Sequence, residues 1–377
     1  MTDLLERPHI EDAGAEAAVF LLEPAAREEL AGFLEPRAGA VDAVESAPAS
    51  EARIREGLTF LNAQVLPGAG DEDRPNADLG RVARTIATAA FSDLSTAFTL
   101  WCHRMVLEYL SCAPRGSFLR TDVLPRVWRT EWLGSTALAA AMAHCVAGTP
   151  LPVTWRREGD AIAIDGRVSW ASNLYPPRFV MVTAAAHVDD GREVIVALRG
   201  DTPGLKIDPY PRLLALQATG SSSVALRGVR VTDEWLITGQ FAPFVARVRP
   251  VFLILQSSFC WGLGYRSLVE ARAGLRGVAE VFSDDLAQLE RRAGHLATQL
   301  ATAAGTGGAG VPIRDLVQLR LDCAQLATAA VALEAKIVGG RGYAMASATA
   351  RRLREAAFIP IQAPTEGQLR WELSRSA

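Results

Sequence analysis

The periodicity of apolar residues changes twice along this chain of 377 residues, and this constrains its fold more than any other feature. Apolar residues recur at helical spacing up to about Leu124, then alternate in short runs between Pro152 and Leu236, and regain helical spacing from Phe241. Helices and strands need different periods, so these zones form different elements. The sequence predicts an α+β fold with an N-terminal all-α domain at 1–128, a central antiparallel β domain at 129–240 and a C-terminal helical bundle at 241–377.

The two helical zones contain long amphipathic or wholly apolar segments separated by Pro and Gly residues. Ser92 and Asp93 precede one of these segments in the manner of a helix N-cap. The predicted helices are Ala25–Leu34, Ser50–Val65, Asp78–Ala90, Leu94–Leu110, Val245–Val281, Ser283–Ala304, Ile313–Val338 and Ser347–Phe358.

Turn-forming residues divide the central zone into short predicted strands. Asp189-Asp190-Gly191 lies between two apolar runs and predicts a hairpin. Asp165-Gly166 and Arg227-Gly228 also interrupt apolar runs and predict turns between separate strands.

Charge, cysteine and histidine usage exclude several classes of function. The formal net charge is −3 and no basic run is interleaved with aromatics, so we expect no nucleic-acid partner. The five histidines show no metal-ligand spacing.

An odd number of scattered cysteines indicates reduced thiols and a cytoplasmic location, and the acidic N-terminus does not resemble a signal peptide. The longest apolar run, Val251–Gly264, is too short to span a bilayer, so we expect a helix buried on all sides and no membrane partner.

Four strings, in order along the chain, carry a resemblance to a known family. GDAIAIDGRVSWASN (159–173) and LLALQATGSSSVALRGVRV (213–231) lie in the β zone, and RPVFLILQSSFCWGLGYRSLVEA (249–271) and KIVGGRGYA (336–344) lie in the second helical zone. Together with the order of the three zones, they resemble the acyl-CoA dehydrogenase superfamily over roughly residues 50–377. The resemblance implies a flavin oxidoreductase that binds FAD, with FMN as an alternative cofactor.

The resemblance places the cofactor ring against two residues of the β zone. Trp170 would stack on the isoalloxazine ring, and Ser172 would donate hydrogen bonds to the flavin edge near N5, where reduction adds electron density. The alternative interpretation makes Trp170 a core aromatic and Ser172 the cap of a turn.

Two further segments are candidates for cofactor contact. Gly339, Gly340 and Gly342 would let the backbone approach the diphosphate or adenine end, although a plain helix C-cap explains these glycines equally well. Gly134–Pro152 replaces the family's flavin-cradling loop and reads as a short helix. Ser135 and Thr136 would cap that helix and direct N–H groups at an anion.

The catalytic carboxylate of the family has no clear counterpart in this sequence. Arg354-Glu355-Ala356 matches the preceding family motif, but a gap-free count from it reaches Ala363. A short register shift reaches Glu366, which we take as the candidate proton acceptor; the alternative is a solvated acid at the start of a C-terminal helix. The family's second location for the base corresponds to Val248, which cannot accept a proton.

Two other positions bear on the site. The arginine that grips the cofactor diphosphate is absent from Val278–Phe282, although Arg272 and Arg276 lie nearby in sequence and could compensate. His103 lies on a helix that lines the substrate side in the family and could act as an acid or base, but its apolar neighbours favour a packed position.

Three functional hypotheses remain open on the sequence alone. The first is a flavin oxidoreductase acting on an acyl thioester or related small substrate. The second is a monooxygenase on the same fold that uses reduced flavin and O₂ and needs no carbon-acid base. The third is a catalytically degenerate subunit that pairs with an active homologue. The resemblance also implies a homodimer or homotetramer.

Overall fold

The computed structural model describes residues 19–43, 47–65 and 78–375, and it confirms the order helices, sheet, helices. Most predicted helices are present within a few residues of their expected bounds, because periodicity and the Pro and Gly breaks act locally. The helices are α1 Pro24–Asp42, α2 Glu51–Val65, α3 Leu79–Ser92, α4 Leu94–Leu110, α5 Leu124–Trp128, α6 Ala139–Ala147, α7 Phe241–Gly274, α8 Ser283–Gly305, α9 Ile313–Val338, α10 Ala348–Phe358 and α11 Glu366–Arg375.

The first helix of the C-terminal zone ends earlier than its apolar pattern predicts. Helix α7 stops at Gly274, and a 3₁₀ turn, Gly277–Phe282, replaces the expected continuation to Val281. Gly277 has a φ of +60°, a left-handed conformation that an α-helix cannot contain. The segment Val251–Gly264 lies inside α7 and is buried throughout, as predicted.

The central zone is one eight-stranded sheet with the order β6–β7–β3–β2–β4–β5–β8, in which β1 pairs with β4 beside this path. The sheet is mixed, not antiparallel as predicted, because β1 and β2 both run parallel to β4. The predicted hairpin joins β4 to β5. The strands are β1 Leu133–Ala137, β2 Val153–Glu158, β3 Ala161–Ala171, β4 Phe179–His187, β5 Glu193–Arg199, β6 Leu205–Ile207, β7 Ser222–Val231 and β8 Leu236–Thr238.

Two predicted turns are instead irregularities inside long strands. Strand β3 runs through Asp165-Gly166 and β7 runs through Arg227-Gly228, and the two strands pair with a register shift at this point. The Asp165 carboxylate accepts a hydrogen bond of 2.7 Å from the N–H of Gly228. The turn prediction was wrong because the same residue types also form β-bulges when a partner strand supplies the missing hydrogen bonds.

The prediction of a helix throughout Gly134–Pro152 was also wrong at its beginning. Leu133–Ala137 forms β1, which pairs with Phe179–Thr183 of β4, and helix α6 starts only at Ala139. Alanine and serine have only weak preferences for helix or strand. Pairing with the buried strand β4 therefore decides the conformation of Leu133–Ala137.

The chain divides into two compact units. One comprises the described residues up to Gly39, Gly80–Leu94 and the chain from Leu253 onward. The other comprises the described residues from Ala40 to Leu79 and Ser95–Phe252, which include the whole sheet. We call these the helical unit and the sheet unit. The three-domain division drawn from the sequence stays a prediction.

One helical segment of the described chain, Ile313–Tyr343, is long and apolar enough to cross a membrane. Of its most apolar window, 67% is buried inside the protein, and the segment also contains the buried Arg320 and Glu334. These features are typical of the core helix of a folded domain.

Candidate functional site

Trp170 lies on a β-bulge that turns its side chain out of the sheet unit. Between Val168 and Ala171 the pairing of β3 with β7 shifts register, so that Ser169 and Trp170 together oppose one residue of β7. Both are exposed, and the indole has 57% of its surface accessible. The interpretation of Trp170 as a core aromatic is therefore wrong, because the bulge presents a large apolar ring on the surface.

Ser172 follows the bulge and anchors a chain of hydroxyl groups. Its Oγ lies 2.7 Å from the Oγ of Ser221, which in turn lies 2.6 Å from Oγ1 of Thr219. The Thr219 hydroxyl donates to the carbonyl of Leu216 at 2.8 Å, which fixes the direction of the chain. The Cys102 thiol also hydrogen-bonds to Ser172, and burial raises the pKa of this thiol far above its ordinary value. The Ser172 side chain is thus held in place, and Cys102 stays neutral.

Asn173 ties the end of β3 to α4 and β1. Its Nδ2 donates to the carbonyls of Thr99 and Gly134, both at 2.9 Å, and its backbone has a φ of +60°. Gly134 must be glycine, since a Cβ there would lie 2.6 Å from Cβ of Val106. This close approach of β1 to α4 sets the position of the strand that carries Ser135 and Thr136.

His103 is a structural acceptor in the same cluster. Its Nδ1 accepts a 3.0 Å hydrogen bond from the N–H of Gly134, so the proton of the neutral ring is on Nε2. Burial, followed by the charge of Arg104, lowers the pKa of His103 to about 3. The imidazole is fully buried and neutral near pH 7, which supports the packed position over the acid–base role.

Ser135 and Thr136 lie in strand β1, so their predicted role as helix caps is wrong. Helix α6 begins after Leu138, and no side chain caps it. Thr136 shares a 3.2 Å hydrogen bond with the hydroxyl of Tyr109, whose pKa burial raises well above its ordinary value. Contact of either residue with a cofactor stays a prediction.

Two features of the sheet unit bear on a flavin ring. Trp170 offers an exposed aromatic face, and within the described chain neither the Ser135 Oγ nor the Asn173 Oδ1 has a hydrogen-bond partner although both are buried. A buried polar atom without a partner costs about 1–3 kcal/mol, so such atoms commonly mark a place for a ligand or a water. An exposed aromatic face suits the stacking of a planar heterocycle.

The glycine loop after α9 belongs to the helical unit. Gly339 has a φ of +66°, and its N–H donates to the carbonyl of Ala335, so it ends α9 as a C-cap. A Cβ at Gly339 or Gly340 would meet no atom within 4 Å, whereas one at Gly342 would meet Thr349 at 3.0 Å. The C-cap explains Gly339; a role of these glycines in cofactor binding stays a prediction.

Glu366 is the first residue of α11, also in the helical unit. Its carboxylate pairs with the guanidinium of Arg370 one turn later, with nitrogen–oxygen distances of 2.6 and 2.8 Å. This geometry supports the alternative interpretation, in which Glu366 is an acidic residue at the start of a C-terminal helix. Its role as a proton acceptor stays a prediction. Val248 is fully buried on α7.

The loop at Ala363 contains a buried polar cluster that the sequence did not reveal. The carbonyl of Ala363 accepts hydrogen bonds from Gln256 at 2.9 Å and from Gln362 at 2.7 Å. Both glutamines accept from Arg320, which is fully buried. The one available signal was the polar Gln256 inside the longest apolar run of the chain.

The arginines considered for the cofactor diphosphate differ in availability. Arg272 forms a two-nitrogen ion pair with Glu290 of α8 and is therefore engaged. Arg276 is exposed at the start of the 3₁₀ turn after α7. Contact of either arginine with a cofactor stays a prediction.

Comparison of the sequence with protein-family models and with curated proteins yields no match. Solved structures match over nearly the whole chain. Butyryl-CoA dehydrogenase from Megasphaera elsdenii is 16% identical with a TM-score of 0.78, covering 97% of both chains. A glutaryl-coenzyme A dehydrogenase in complex with glutaryl-CoA is 17% identical with a TM-score of 0.78, covering 96% of this chain and 94% of that chain.

A nitroalkane oxidase in complex with spermine, a competitive inhibitor, is 17% identical with a TM-score of 0.79, covering 94% of this chain and 95% of that chain. Dehydrogenases and an oxidase thus share this architecture at identities that establish the fold and leave the reaction open. The chain has the acyl-CoA dehydrogenase fold.

Proposed function

We propose that this chain is a flavin-dependent oxidoreductase that acts on an acyl thioester or a related small substrate. One observation carries the proposal: the bulge in β3 exposes the Trp170 indole two residues before the anchored Ser172. FAD is the expected cofactor and FMN the alternative. We also propose that the protein works in the cytoplasm as a homodimer or homotetramer.

The residues of the sheet unit would have distinct tasks toward a flavin. The Trp170 indole would stack on the ring, and the backbone N–H of Ser172 would donate to its edge, since the Ser172 hydroxyl already donates to Ser221. The bound flavin would supply hydride-transfer chemistry, which amino-acid side chains lack. The neutral His103 would only hold β1 through Gly134.

Flavin binding tests the proposal directly. Titration of the purified chain with FAD and FMN, followed by quenching of flavin fluorescence, should give saturable binding. Trp170→Ala should weaken it by about 5-fold to 150-fold, because stacking of a base on an aromatic side chain contributes about 1–3 kcal/mol. Leu214→Ala removes another side chain of the sheet unit that is 69% exposed and should leave binding unchanged. Equal affinity of the two variants would contradict the placement of the ring at Trp170.

A second candidate, the monooxygenase that uses externally reduced flavin and O₂, has two observations in its favour. Ala363 occupies the gap-free position of the family base, and the carboxylate of Glu366 is paired with Arg370. A reaction without a carbon-acid proton transfer tolerates both facts. Bleaching of the bound flavin by butyryl-CoA under anaerobic conditions would support a dehydrogenase. Substrate oxygenation that requires reduced flavin would support the monooxygenase, and absence of any bound flavin would support the degenerate subunit.

Glu366→Gln separates the two enzymatic candidates at the residue proposed as proton acceptor. Loss of a general base slows proton transfer by about 10²–10⁴. Such a loss in the rate of flavin reduction, with flavin affinity unchanged, would assign the role to Glu366. Arg370→Gln, which removes its ion-pair partner, serves as the matched control and should retain flavin reduction.

A further inference from the structure

Arg320 of helix α9 is a buried cation that has no carboxylate partner among the described residues. Its side chain has no exposed surface, and no ion pair to it occurs in the part of the chain that the structure describes. Nε donates to Gln256 Oε1 at 3.3 Å and Nη2 donates to Gln362 Oε1 at 2.8 Å. The remaining nitrogen, Nη1, has no hydrogen-bond partner among the described residues.

The charged groups on the same helix are already satisfied or exposed. Asp322 pairs with Arg292 at 3.0 Å, and Glu334 pairs with Arg352. The Arg320 charge also acts on the thiols of Cys260 and Cys323, but burial raises the pKa of Cys260 to about 11 and that of Cys323 well above its ordinary value. Both thiols therefore stay neutral near pH 7 and cannot balance the guanidinium.

An uncompensated buried cation is costly for a folded protein. Moving a charge out of water destabilises the folded state unless an opposite charge or full hydrogen bonding replaces the solvent. The two carboxamide oxygens accept hydrogen bonds from only two of the three guanidinium nitrogens. At low dielectric the same charge attracts an anion strongly, so the arrangement favours an anionic ligand over a neutral one.

The two glutamines link Arg320 to the loop at Ala363. Gln256 and Gln362 accept from Arg320 through their oxygens and donate through their amide nitrogens to the carbonyl of Ala363. Both are at least nine-tenths buried, with exposures of 0% and 6%. Ala363 itself is half-buried and ends in a methyl group, so the chain provides no acid at this point.

We propose that Arg320 is the counter-charge for an anion bound at the Ala363 loop, namely a carboxylate or oxyanion of an acyl group. The anion completes the cluster by accepting from Nη1, while Gln256 and Gln362 hold the loop in place. The site rests on contacts within the helical unit alone; only the assignment of the anion to the substrate rests on the proposed function.

Butyrate and butyramide test the site on the purified full chain without any flavin. They have the same shape and differ in charge. Millimolar butyrate should raise the melting temperature of the wild-type protein, and butyramide should not. Arg320→Gln should lower butyrate affinity at least about tenfold, since a hydrogen bond to a charged group contributes more than the ~1.4 kcal/mol that corresponds to this factor. Arg292→Gln removes the same charge from the half-exposed pair with Asp322 and should keep the response.

A second measurement decides the question even if Arg320→Gln fails to fold. Ala363→Glu supplies the missing carboxylate from the chain itself, and Ala363→Gln is its neutral isostere. The Glu variant should melt higher than the Gln variant near pH 7, and should lose this advantage when the carboxyl is protonated at low pH.

Two results would overturn the proposal: a wild-type protein that butyrate does not stabilise, or an Ala363→Glu variant no more stable than Ala363→Gln. Failure of the flavin titration leaves both readouts intact, because neither requires a cofactor. A chain that binds butyrate but no flavin would retain the anion site and lose the oxidoreductase proposal.

Discussion

Single residues of the sheet unit show how backbone conformation positions the candidate site. Gly220 precedes Ser221, the hydrogen-bond partner of Ser172, and has a φ of +58°. Its missing side chain leaves room for the ring of Tyr175, because a Cβ at this position would lie 2.7 Å from Cζ. Gly228 has the same φ and would meet no atom within 4 Å. Substitution of Gly228 therefore tests backbone strain alone, and substitution of Gly220 tests strain together with steric overlap.

Gly220→Ala should lower the free energy of unfolding by about 2–4 kcal/mol, which combines left-handed strain with overpacking. Gly228→Ala should cost only about 1–2 kcal/mol, the strain alone. Urea denaturation of both variants measures the difference. Equal losses would show that the Tyr175 ring moves aside freely.

His103 should make stability depend on pH. Its folded pKa of about 3 lies below the ordinary value of about 6.5, so the unfolded chain binds a proton first as the pH falls. The contribution of the neutral ring is complete above about pH 6.5 and is lost toward pH 3, by ~1.4 kcal/mol per pH unit. His103→Asn, which retains an acceptor for Gly134, should remove this slope from urea denaturation between pH 7 and pH 5.

The control for this pH dependence is His295→Gln, since His295 is exposed on α8. It should keep the wild-type slope. If His103→Asn also kept the full slope, the titration would belong to another group, and the buried neutral imidazole would not be its source.

At the scale of elements, a buried ion pair joins α9 to α10. Arg352 donates two hydrogen bonds to the carboxylate of Glu334, at 2.9 and 2.5 Å, and Thr349 donates a third at 2.6 Å. The exposures of Arg352 and Glu334 are 3% and 0%. Such a pair specifies how two helices dock, because neither charge tolerates burial without the other.

Arg352→Met should lower the free energy of unfolding by about 3–5 kcal/mol, since it leaves the Glu334 carboxylate buried and unpaired. The double variant with Glu334→Gln should recover part of this loss, because no charge then stays buried alone. Arg292→Met, which breaks the half-exposed pair with Asp322, should cost at most about 1 kcal/mol. A loss for Arg352→Met as small as for Arg292→Met would mean that water reaches Glu334.

At the scale of the whole molecule, the expected homo-oligomer needs an apolar surface. Two large apolar side chains of the helical unit, Tyr343 and Met345, are 88% and 71% exposed. Both directly follow the glycines at 339, 340 and 342. Exposed apolar side chains close together are typical of protein–protein interfaces.

Light scattering should give a mass of two or four chains for the wild type and a smaller mass for the double variant Tyr343→Glu, Met345→Glu. Burying the two new carboxylates in an apolar interface is unfavourable because they lose their hydration, so the assembly should dissociate. Leu214→Glu, an equally exposed position of the sheet unit, is the control and should not change the mass. An unchanged mass in the double variant would place the interface elsewhere.

The sequence by itself determined most of the helices and the order helices, sheet, helices. The helices, the hairpin around Asp189-Asp190-Gly191 and the buried run in α7 follow from periodicity and turn residues, which act over a few neighbours along the chain. The candidate ring contacts Trp170 and Ser172 were also named from the sequence, through the resemblance.

Only the tertiary structure decided how these residues are presented. A register shift against β7 turns Trp170 outward, and pairing with β4 makes a strand of the residues around Ser135. Arg320 became visible as a candidate because its partners come from α7 and from the Ala363 loop. Strand pairing and charge compensation join residues far apart in sequence, so no local pattern encodes them.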